Sequence, residues 1–362
     1  MQSFTKSFNI MKLILAVGVI YQHTVGWLLE SDKANGFTTL VFGTIFNFTR
    51  IAVPSFMIIS GFLMMMNYKN LSIKDFYKNK LTKILIVYIS SVVIFSPTKI
   101  FTGKYSISLF INDILFGSSF SHLWYLNTLI RFYLLFPLFL WLVKFICKNK
   151  QWIVILILLG IIHFIIISQI HNLESVLPSL YYKYRDRSLI IWLYYFILGG
   201  VISEKADWTA MMLIKFRNII YIFTGGYFIF YNSIILNNHW KGGAVNYLIG
   251  APNSKINFIY NIIGFFSLWL FVEYKYNKIS FLEEKYFKFN LELYISHPIA
   301  IGIANVILYI SSFYINYNIY IVLLFLLTCI ISLKLKEYYN KLITVPMNKI
   351  FIRNKEREKI LT

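Results

Sequence analysis

Long apolar stretches separated by short polar ones run through the whole chain. A helix needs about 20 mostly apolar residues to cross a bilayer, and the chain divides into ten such segments. They lie at 10–29, 42–67, 81–98, 123–146, 151–170, 187–203, 212–235, 256–273, 290–312 and 316–335. Membrane barrel strands would instead alternate apolar and polar residues. The pattern therefore predicts an all-α polytopic membrane protein with about ten transmembrane helices.

The composition supports this prediction. Hydrophobic residues make up 58% of the chain and charged residues 14%, whereas a soluble domain carries about 25% charged residues. The two cysteines, Cys147 and Cys329, lie in or beside apolar runs and are interpreted as buried apolar side chains. They support neither a metal cage nor a disulfide framework. No small-x-small cleavage site follows Leu29, so the first segment is interpreted as an uncleaved helix.

The basic residues are distributed unevenly between the two sides of the predicted bundle. Ten spans place both termini on one side, and most of the 35 basic residues fall in the segments on that side. Cytoplasmic segments carry an excess of lysine and arginine, so both termini are predicted to be cytoplasmic. A transmembrane domain over 1–340 would then precede a basic cytoplasmic tail over 341–362. Contact with the lipid bilayer accounts for the net charge of +20 without nucleic acid.

The first span carries two ionisable residues on one face. Ionisable side chains are costly inside a membrane and mark functional sites by default. Lys12 and His23 are eleven residues apart, which is almost three turns and about 16 Å of helix. A histidine can accept a proton from a hydroxyl near neutral pH. His23 is therefore a candidate general base, and an interfacial histidine bonded to a neighbour is the alternative.

The second and fourth spans carry further polar candidates. Arg50 lies in the second span, where the alternative to a functional role is an arginine that extends to the membrane surface. His122 and Trp124 begin the fourth span, and Trp124 could equally belong to an aromatic belt. Arg131 lies two turns deeper and needs a carboxylate, a backbone carbonyl or a ligand as its partner.

The ninth span contains Glu292 and His297, which are five residues apart and therefore do not share a helix face. His163 stands alone in an isoleucine-rich helix and is interpreted as structural. His171 and His239 have the surroundings of ordinary loop residues.

The basic run at 74–83 follows the second span. Lys80 and Lys83 are candidates for binding the phosphates of a cytoplasmic donor as point charges. The alternative is that the run orients the protein and contacts lipid headgroups.

Six segments resemble, in the same order, motifs of acyltransferase family 3, the integral membrane O-acyltransferases. They lie at 53–63, 76–83, 122–126, 132–137, 195–200 and 293–298. The first helix of that family carries an arginine and a histidine separated by ten residues, and these positions are occupied here by Lys12 and His23. The resemblance implies a ten-span core, a cytoplasmic acyl-CoA donor and a hydroxyl acceptor. The group most similar to this chain is that of bacterial surface-polysaccharide O-acetyltransferases, which implies the bacterial cytoplasmic (inner) membrane.

The candidate residues and the resemblance together predict an enzyme that moves an acetyl or other short acyl group. The donor would be acyl-CoA, and the acceptor a hydroxyl of an extracytoplasmic or lipid-linked polysaccharide. His23 would act as the general base or hold the acyl group briefly, and Lys12, Lys80 and Lys83 would bind the donor. The residues expected to orient the acceptor or the acyl group are Arg50, His122, Trp124, Arg131, Glu292 and His297.

Acetyl-CoA is expected as a substrate, with no metal and no permanently bound cofactor. The expected partners are the bilayer, the acyl-CoA, the surface glycan and a glycan synthase or export machinery. Two alternatives remain open. A polysaccharide exporter or flippase would use the same spans without CoA or a general base, and a structural partner of a glycan synthase would tolerate changes at His23.

Overall fold

The computed structural model describes residues 2–31, 33–70, 72–96, 106–120, 122–170, 185–240, 250–280, 291–311 and 316–341, and these form helices and turns with no strand. The α-helices in these ranges are α1 (Gln2–Leu29), α2 (Gly36–Thr49), α3 (Ala52–Tyr68), α4 (Ile73–Phe76), α5 (Thr82–Phe95), α6 (Ile107–Phe116), α7 (Trp124–Leu134), α8 (Phe136–Lys148), α9 (Trp152–Gln169), α10 (Leu189–Glu204), α11 (Ala206–Lys215), α12 (Arg217–Trp240), α13 (Lys255–Ile279), α14 (Leu291–Ser311) and α15 (Tyr317–Tyr339).

Eight helical segments in the described ranges are long and apolar enough to cross a membrane. They are Lys6–Leu29, Gly36–Tyr68, Trp152–Gln169, Arg185–Glu204, Arg217–Asn237, Lys255–Tyr276, Leu293–Ser311 and Tyr317–Tyr339. The pair α7 and α8 would make a ninth. The predicted third span, 81–98, corresponds to α5, which has only 14 residues. The prediction of an all-α polytopic membrane protein is confirmed. The tail over 342–362 lies outside the described residues.

Prolines account for two interruptions of the spans. Proline lacks the N–H that would bond to the carbonyl four residues earlier, and it disfavours helical geometry in the residue before it. Pro54 follows the break between α2 and α3, at Arg50 and Ile51. Pro137 lies in the first turn of α8, and α7 and α8 meet there at 69°. The apolar pattern predicted both regions as continuous spans. Gly36–Tyr68 remains one candidate span despite its short break, whereas α7 and α8 form a sharply bent pair.

Helices α3 and α10 cross so closely that their backbones touch. A Cβ atom on Gly61 would lie 2.1 Å from the Phe196 carbonyl oxygen, and one on Gly199 would lie 1.9 Å from that of Ile58. Small residues at helix interfaces allow this approach inside membranes. An ion pair of 3.1 Å joins Lys69 and Glu204 at the end of the same two helices. This crossing fixes α3, one of the helices that surround the candidate site.

The end of α6 holds the start of α7 in place. Gly117 ends α6 with φ of 61°, and a Cβ atom there would lie 2.8 Å from Trp124 Cα. The last carbonyls of a helix have no partner within it, and here side chains from other elements donate to them. These bonds are Tyr88 Oη to Ile114 O at 2.6 Å, Asn127 Nδ2 to Ile114 O at 3.0 Å, Arg131 Nη2 to Leu115 O at 2.5 Å and Arg187 Nη1 to Phe116 O at 2.6 Å. We call this group of bonds the α6 cap.

Candidate active site

Three histidines from distant parts of the chain meet inside the bundle. His23 of α1 and His297 of α14 have ring centroids 5.2 Å apart, and His122, in the turn before α7, lies 5.2 Å from His297. His122 and His297 are each only 1% exposed, and His23 is half-buried. The structure therefore brings together three residues that the sequence offered as separate candidates. We call His23, His122 and His297 the histidine cluster.

The proline in α14 explains the orientation of His297. Pro298 has no N–H to offer to the carbonyl of Tyr294, four residues earlier. The ring nitrogen Nδ1 of His297 lies 2.6 Å from that carbonyl oxygen. A carbonyl only accepts hydrogen bonds, so Nδ1 is the donor and the ring is fixed against its own helix.

His122 is held by aromatic rings and by its own backbone. The rings of Phe95 and Phe120 contact it edge to face at 5.2 and 5.6 Å. The hydroxyl of Tyr294 donates to the His122 carbonyl, which ties the turn to α14. In its neutral form the His122 ring carries one N–H and one lone pair.

Two of the three imidazoles have ring nitrogens without a partner. Neither ring nitrogen of His122, nor Nε2 of His297, has a hydrogen-bond partner within the described parts of the chain. A buried polar atom without a partner costs about 1–3 kcal/mol, so such atoms call for an explanation. A ligand oxygen placed among these rings would satisfy them.

A small cavity adjoins the histidine cluster. It measures about 10 Å³, room for roughly one water molecule or one hydroxyl group. Its walls come from α1, α3 and α14, and they include Val19, Phe56 and Tyr294 together with His297. Tyr125 lies behind Tyr294 with ring centroids 5.8 Å apart, and its hydroxyl is 3.4 Å from Ser60 Oγ. The cluster thus lies beside a cavity enclosed by α1, α3 and α14.

The candidate donor-binding lysines lie away from the cluster. Lys12 is half-buried on α1, about 16 Å along the helix from His23. Lys80 lies in a π-helical turn, Tyr77–Leu81, with its ammonium 5.8 Å from the ring centroid of Tyr133. Lys83 is exposed. The structure does not bring these lysines into contact with the histidines.

A larger cavity of about 480 Å³ lies near the beginning of α1. It is lined by Arg217, Tyr221 and Glu273 among others. The hydroxyl of Ser7 donates to the Glu273 carboxylate, which places the first turns of α1 beside it. Lys12 follows Ser7 by about one and a half turns.

The other predicted site residues have different surroundings. Arg50 is buried, at 5% exposure, in the break between α2 and α3, and its guanidinium lies 4.6 Å from the centroid of Phe46. It therefore does not extend to the surface. Trp124 packs against Trp192 at 5.4 Å. Arg131 belongs to the α6 cap and has the backbone carbonyl partner named among its alternatives. Glu292 lies in α14, but its side chain is outside the described residues.

The remaining histidines and cysteines lie outside the cluster. His163 is buried and stacks on Tyr194 at 5.7 Å, which fits the structural interpretation. His171 and the side chain of His239 lie outside the described residues. Cys147 and Cys329 are free thiols. In the part of the chain that the structure describes, no group of three histidine, cysteine or acidic side chains could hold a metal ion.

Sequence reasoning did not identify Tyr125 and Ser60 as neighbours of the site. Both lie in segments that resemble family motifs, 122–126 and 53–63, but nothing in the sequence indicated that they lie near the histidines. The spacing of Tyr294, His297 and Pro298 was a usable signal, since a proline frees the carbonyl four residues before it.

Comparison with known proteins identifies the family of the chain. A family model described as an acyltransferase domain matches residues 5–336. Neither a curated protein nor a solved structure matches the chain significantly. The matched region includes all three histidines of the cluster and nearly the whole chain. The chain belongs to acyltransferase family 3, and the protein is a membrane O-acyltransferase.

Proposed function

We propose that the protein transfers an acetyl or other short acyl group from acyl-CoA to a glycan hydroxyl, with His23 as the general base. One observation carries this proposal, namely that His23 adjoins the buried imidazole of His297, which in turn adjoins that of His122, and that both buried rings have unpartnered nitrogens. A polar site enclosed by apolar helices suits acyl transfer, because it strengthens hydrogen bonds to developing charge and excludes competing water.

The proposed reaction uses the neutral form of His23. The acceptor hydroxyl oxygen attacks the thioester carbonyl carbon while a ring nitrogen of His23 takes the hydroxyl proton. The carbon–sulfur bond then breaks, and the CoA sulfur leaves with the proton returned by His23. General base catalysis of this kind contributes about 10²–10⁴-fold to a rate. The N–H of His122 would donate to the carbonyl oxygen as it gains negative charge.

The donor is proposed to extend from the lysines toward the histidine cluster. Lys12 and His23 are separated by about 16 Å of helix, a length that the pantetheine arm of CoA can follow. The cavity beside Glu273, near the beginning of α1, offers space for part of the nucleotide. Lys80 and Lys83 would add positive charge for its phosphates. In the proposed orientation this end of α1 faces the cytoplasm of a bacterial cell.

The acceptor is proposed to be an extracytoplasmic or lipid-linked polysaccharide. The half-buried indole of Trp124 lies just beyond the His122 turn, and flat aromatic surfaces suit the apolar faces of sugar rings. The buried guanidinium of Arg50 is a second candidate for orienting the sugar.

The direct test is acetyl-CoA turnover by the purified protein in liposomes, with and without glycan acceptors. We expect the wild type to release CoA and His23→Ala to lose at least 100-fold of that rate. His163→Ala is the matched control, since it also removes a buried histidine from the bundle, and its turnover per folded molecule should stay near that of the wild type. Acceptor-dependent turnover that survives in His23→Ala would contradict the general base. Absence of turnover in the wild type with every short acyl-CoA would favour a polysaccharide exporter.

A second measurement addresses the donor site. Lys12→Ala should weaken acetyl-CoA binding, whereas Lys12→Arg should preserve or improve it, because arginine keeps the charge and adds a bidentate fork. Equal donor affinity in the wild type and Lys12→Ala would remove Lys12 from the site.

A further inference from the structure

The tautomer of His297 follows from its hydrogen bond to Tyr294. Nδ1 lies 2.6 Å from the Tyr294 carbonyl oxygen, and only a protonated Nδ1 can bond to it. A neutral imidazole carries one N–H, so Nε2 of His297 holds a lone pair. Pro298 keeps this bond in place, because no backbone N–H competes for the same carbonyl.

The lone pair on Nε2 is buried beside His23. His297 is 1% exposed, and Nε2 has no partner in the described ranges. The ring of His23 lies 5.2 Å away, centroid to centroid, with a tilt of 37°. This spacing suits one N–H···N hydrogen bond of about 3 Å between the two rings. The bond is not formed in this structure, and forming it requires rotation of a ring about χ2, which is a soft torsion in histidine.

We propose that His297 is the positioning residue of His23. Its Nε2 accepts a hydrogen bond from an N–H of His23, so that the other ring nitrogen of His23 is unprotonated and free to take the acceptor proton. This inference rests on the proposed function. It assigns His297 a role different from orienting the acyl group, since His297 acts through His23 and does not touch the substrate.

The arrangement follows a general rule of acid–base sites, in which a third group orients the base and fixes its tautomer. When His23 accepts the proton it becomes an imidazolium, and the lone pair of His297 stabilises that charge. The other described titratable groups around His297 are His122 from the turn before α7, Tyr294 on its own helix and, behind Tyr294, Tyr125 of α7.

Two substitutions separate positioning from packing. His297→Asn keeps a donor near the position of Nδ1 for the Tyr294 carbonyl but removes the acceptor at Nε2. His297→Gln places an amide oxygen near the position of Nε2. We expect His297→Asn to lower kcat about 100-fold with little change in KM for acetyl-CoA, and His297→Gln to recover activity to within about tenfold of the wild type. His163→Asn is the matched control and should leave kcat unchanged.

A packing role predicts a different result. Both His297 variants would then lower the yield or the melting temperature while kcat per folded molecule stayed at the wild-type value, and this would overturn the proposal. Equal losses in the Asn and Gln variants would also contradict it, because only the Gln variant restores an acceptor.

The tautomer itself is measurable by nitrogen NMR of the histidine-labelled protein. The signals of His297 are those lost in His297→Asn, and we expect Nδ1 to be protonated and Nε2 unprotonated. A protonated Nε2 in the neutral ring would overturn the inference. Failure of the proposed function appears differently, as a wild type without acyl transfer. Wild-type turnover that His297→Asn leaves unchanged contradicts only the positioning role.

Discussion

The α6 cap and the histidine cluster both gather polar side chains within an apolar bundle, but they satisfy them differently. At the α6 cap, Tyr88, Asn127, Arg131 and Arg187 donate to carbonyls that the helix end leaves free. In the histidine cluster, three ring nitrogens of His122 and His297 have no described partner. The first arrangement pairs side-chain donors with free carbonyls and so offsets part of the cost of burying them, whereas the second leaves three ring nitrogens unsatisfied at a cost in free energy.

This difference refines the rule that an ionisable residue in a membrane span marks a functional site. Arg131 and His122 are nine residues apart, and both looked equally functional in the sequence. The two residues differ in whether their side chains have hydrogen-bond partners. Arg131 donates to a backbone carbonyl and stabilises the fold, whereas His122 has two unpartnered ring nitrogens and lies in a cluster with two other histidines.

The largest expected effect comes from His122→Phe. Phenylalanine preserves the edge-to-face contacts with Phe95 and Phe120 and removes two nitrogens without partners. We expect the melting temperature to stay level or rise, because a buried unsatisfied group is removed. Acyl transfer should fall about 10²–10³-fold, the usual cost of losing a donor to a developing oxyanion. A stable variant with full activity would show that the unpartnered nitrogens serve no reaction.

Arg131→Met should give the opposite result. It removes the donor to the Leu115 carbonyl and should cost about 1–3 kcal/mol of stability, measured as a lower melting temperature in detergent. Arg131→Lys retains one donor and should fall between the wild type and Arg131→Met. Activity per folded molecule should change by less than about twofold. A variant of normal stability that loses turnover would place Arg131 in the acceptor site after all.

The sequence predicted the helices better than their interruptions. Long apolar runs identify spans because a bilayer requires them. The break at Arg50 and the bend near Pro137 depend instead on how the helices on either side of each interruption pack. The sequence predicted that Lys12 and His23 share one face of the first span, because helical periodicity fixes which residues share a face. Periodicity does not say which helices are neighbours. The meeting of His23, His122 and His297 therefore had to come from the tertiary structure.

Gly117→Ala should affect both the α6 cap and the histidine cluster, because Gly117 links the α6 cap to the turn that carries His122. Its φ is 61°, and a Cβ atom there would lie only 2.8 Å from Trp124 Cα, which leaves no room for a side chain. We expect a loss of about 1–2 kcal/mol of stability together with a several-fold loss of turnover. Gly226→Ala is the control, since a Cβ there has no neighbour within 4 Å, and both properties should stay near wild type.

Pro298→Ala should have the smallest effect on stability, and it tests why His297 is held as it is. Alanine restores the backbone N–H that competes with Nδ1 for the Tyr294 carbonyl. His297 could then adopt either tautomer, so turnover should fall by up to about tenfold while the helix gains a hydrogen bond and the melting temperature does not drop. The same substitution in the His297→Asn background is the decisive control, because residues that act through one contact are not additive. If Pro298→Ala acts through the tautomer of His297, it causes no further loss of turnover in the His297→Asn background. An equal loss in both backgrounds would mean that the proline shapes α14 and does not set the state of His297.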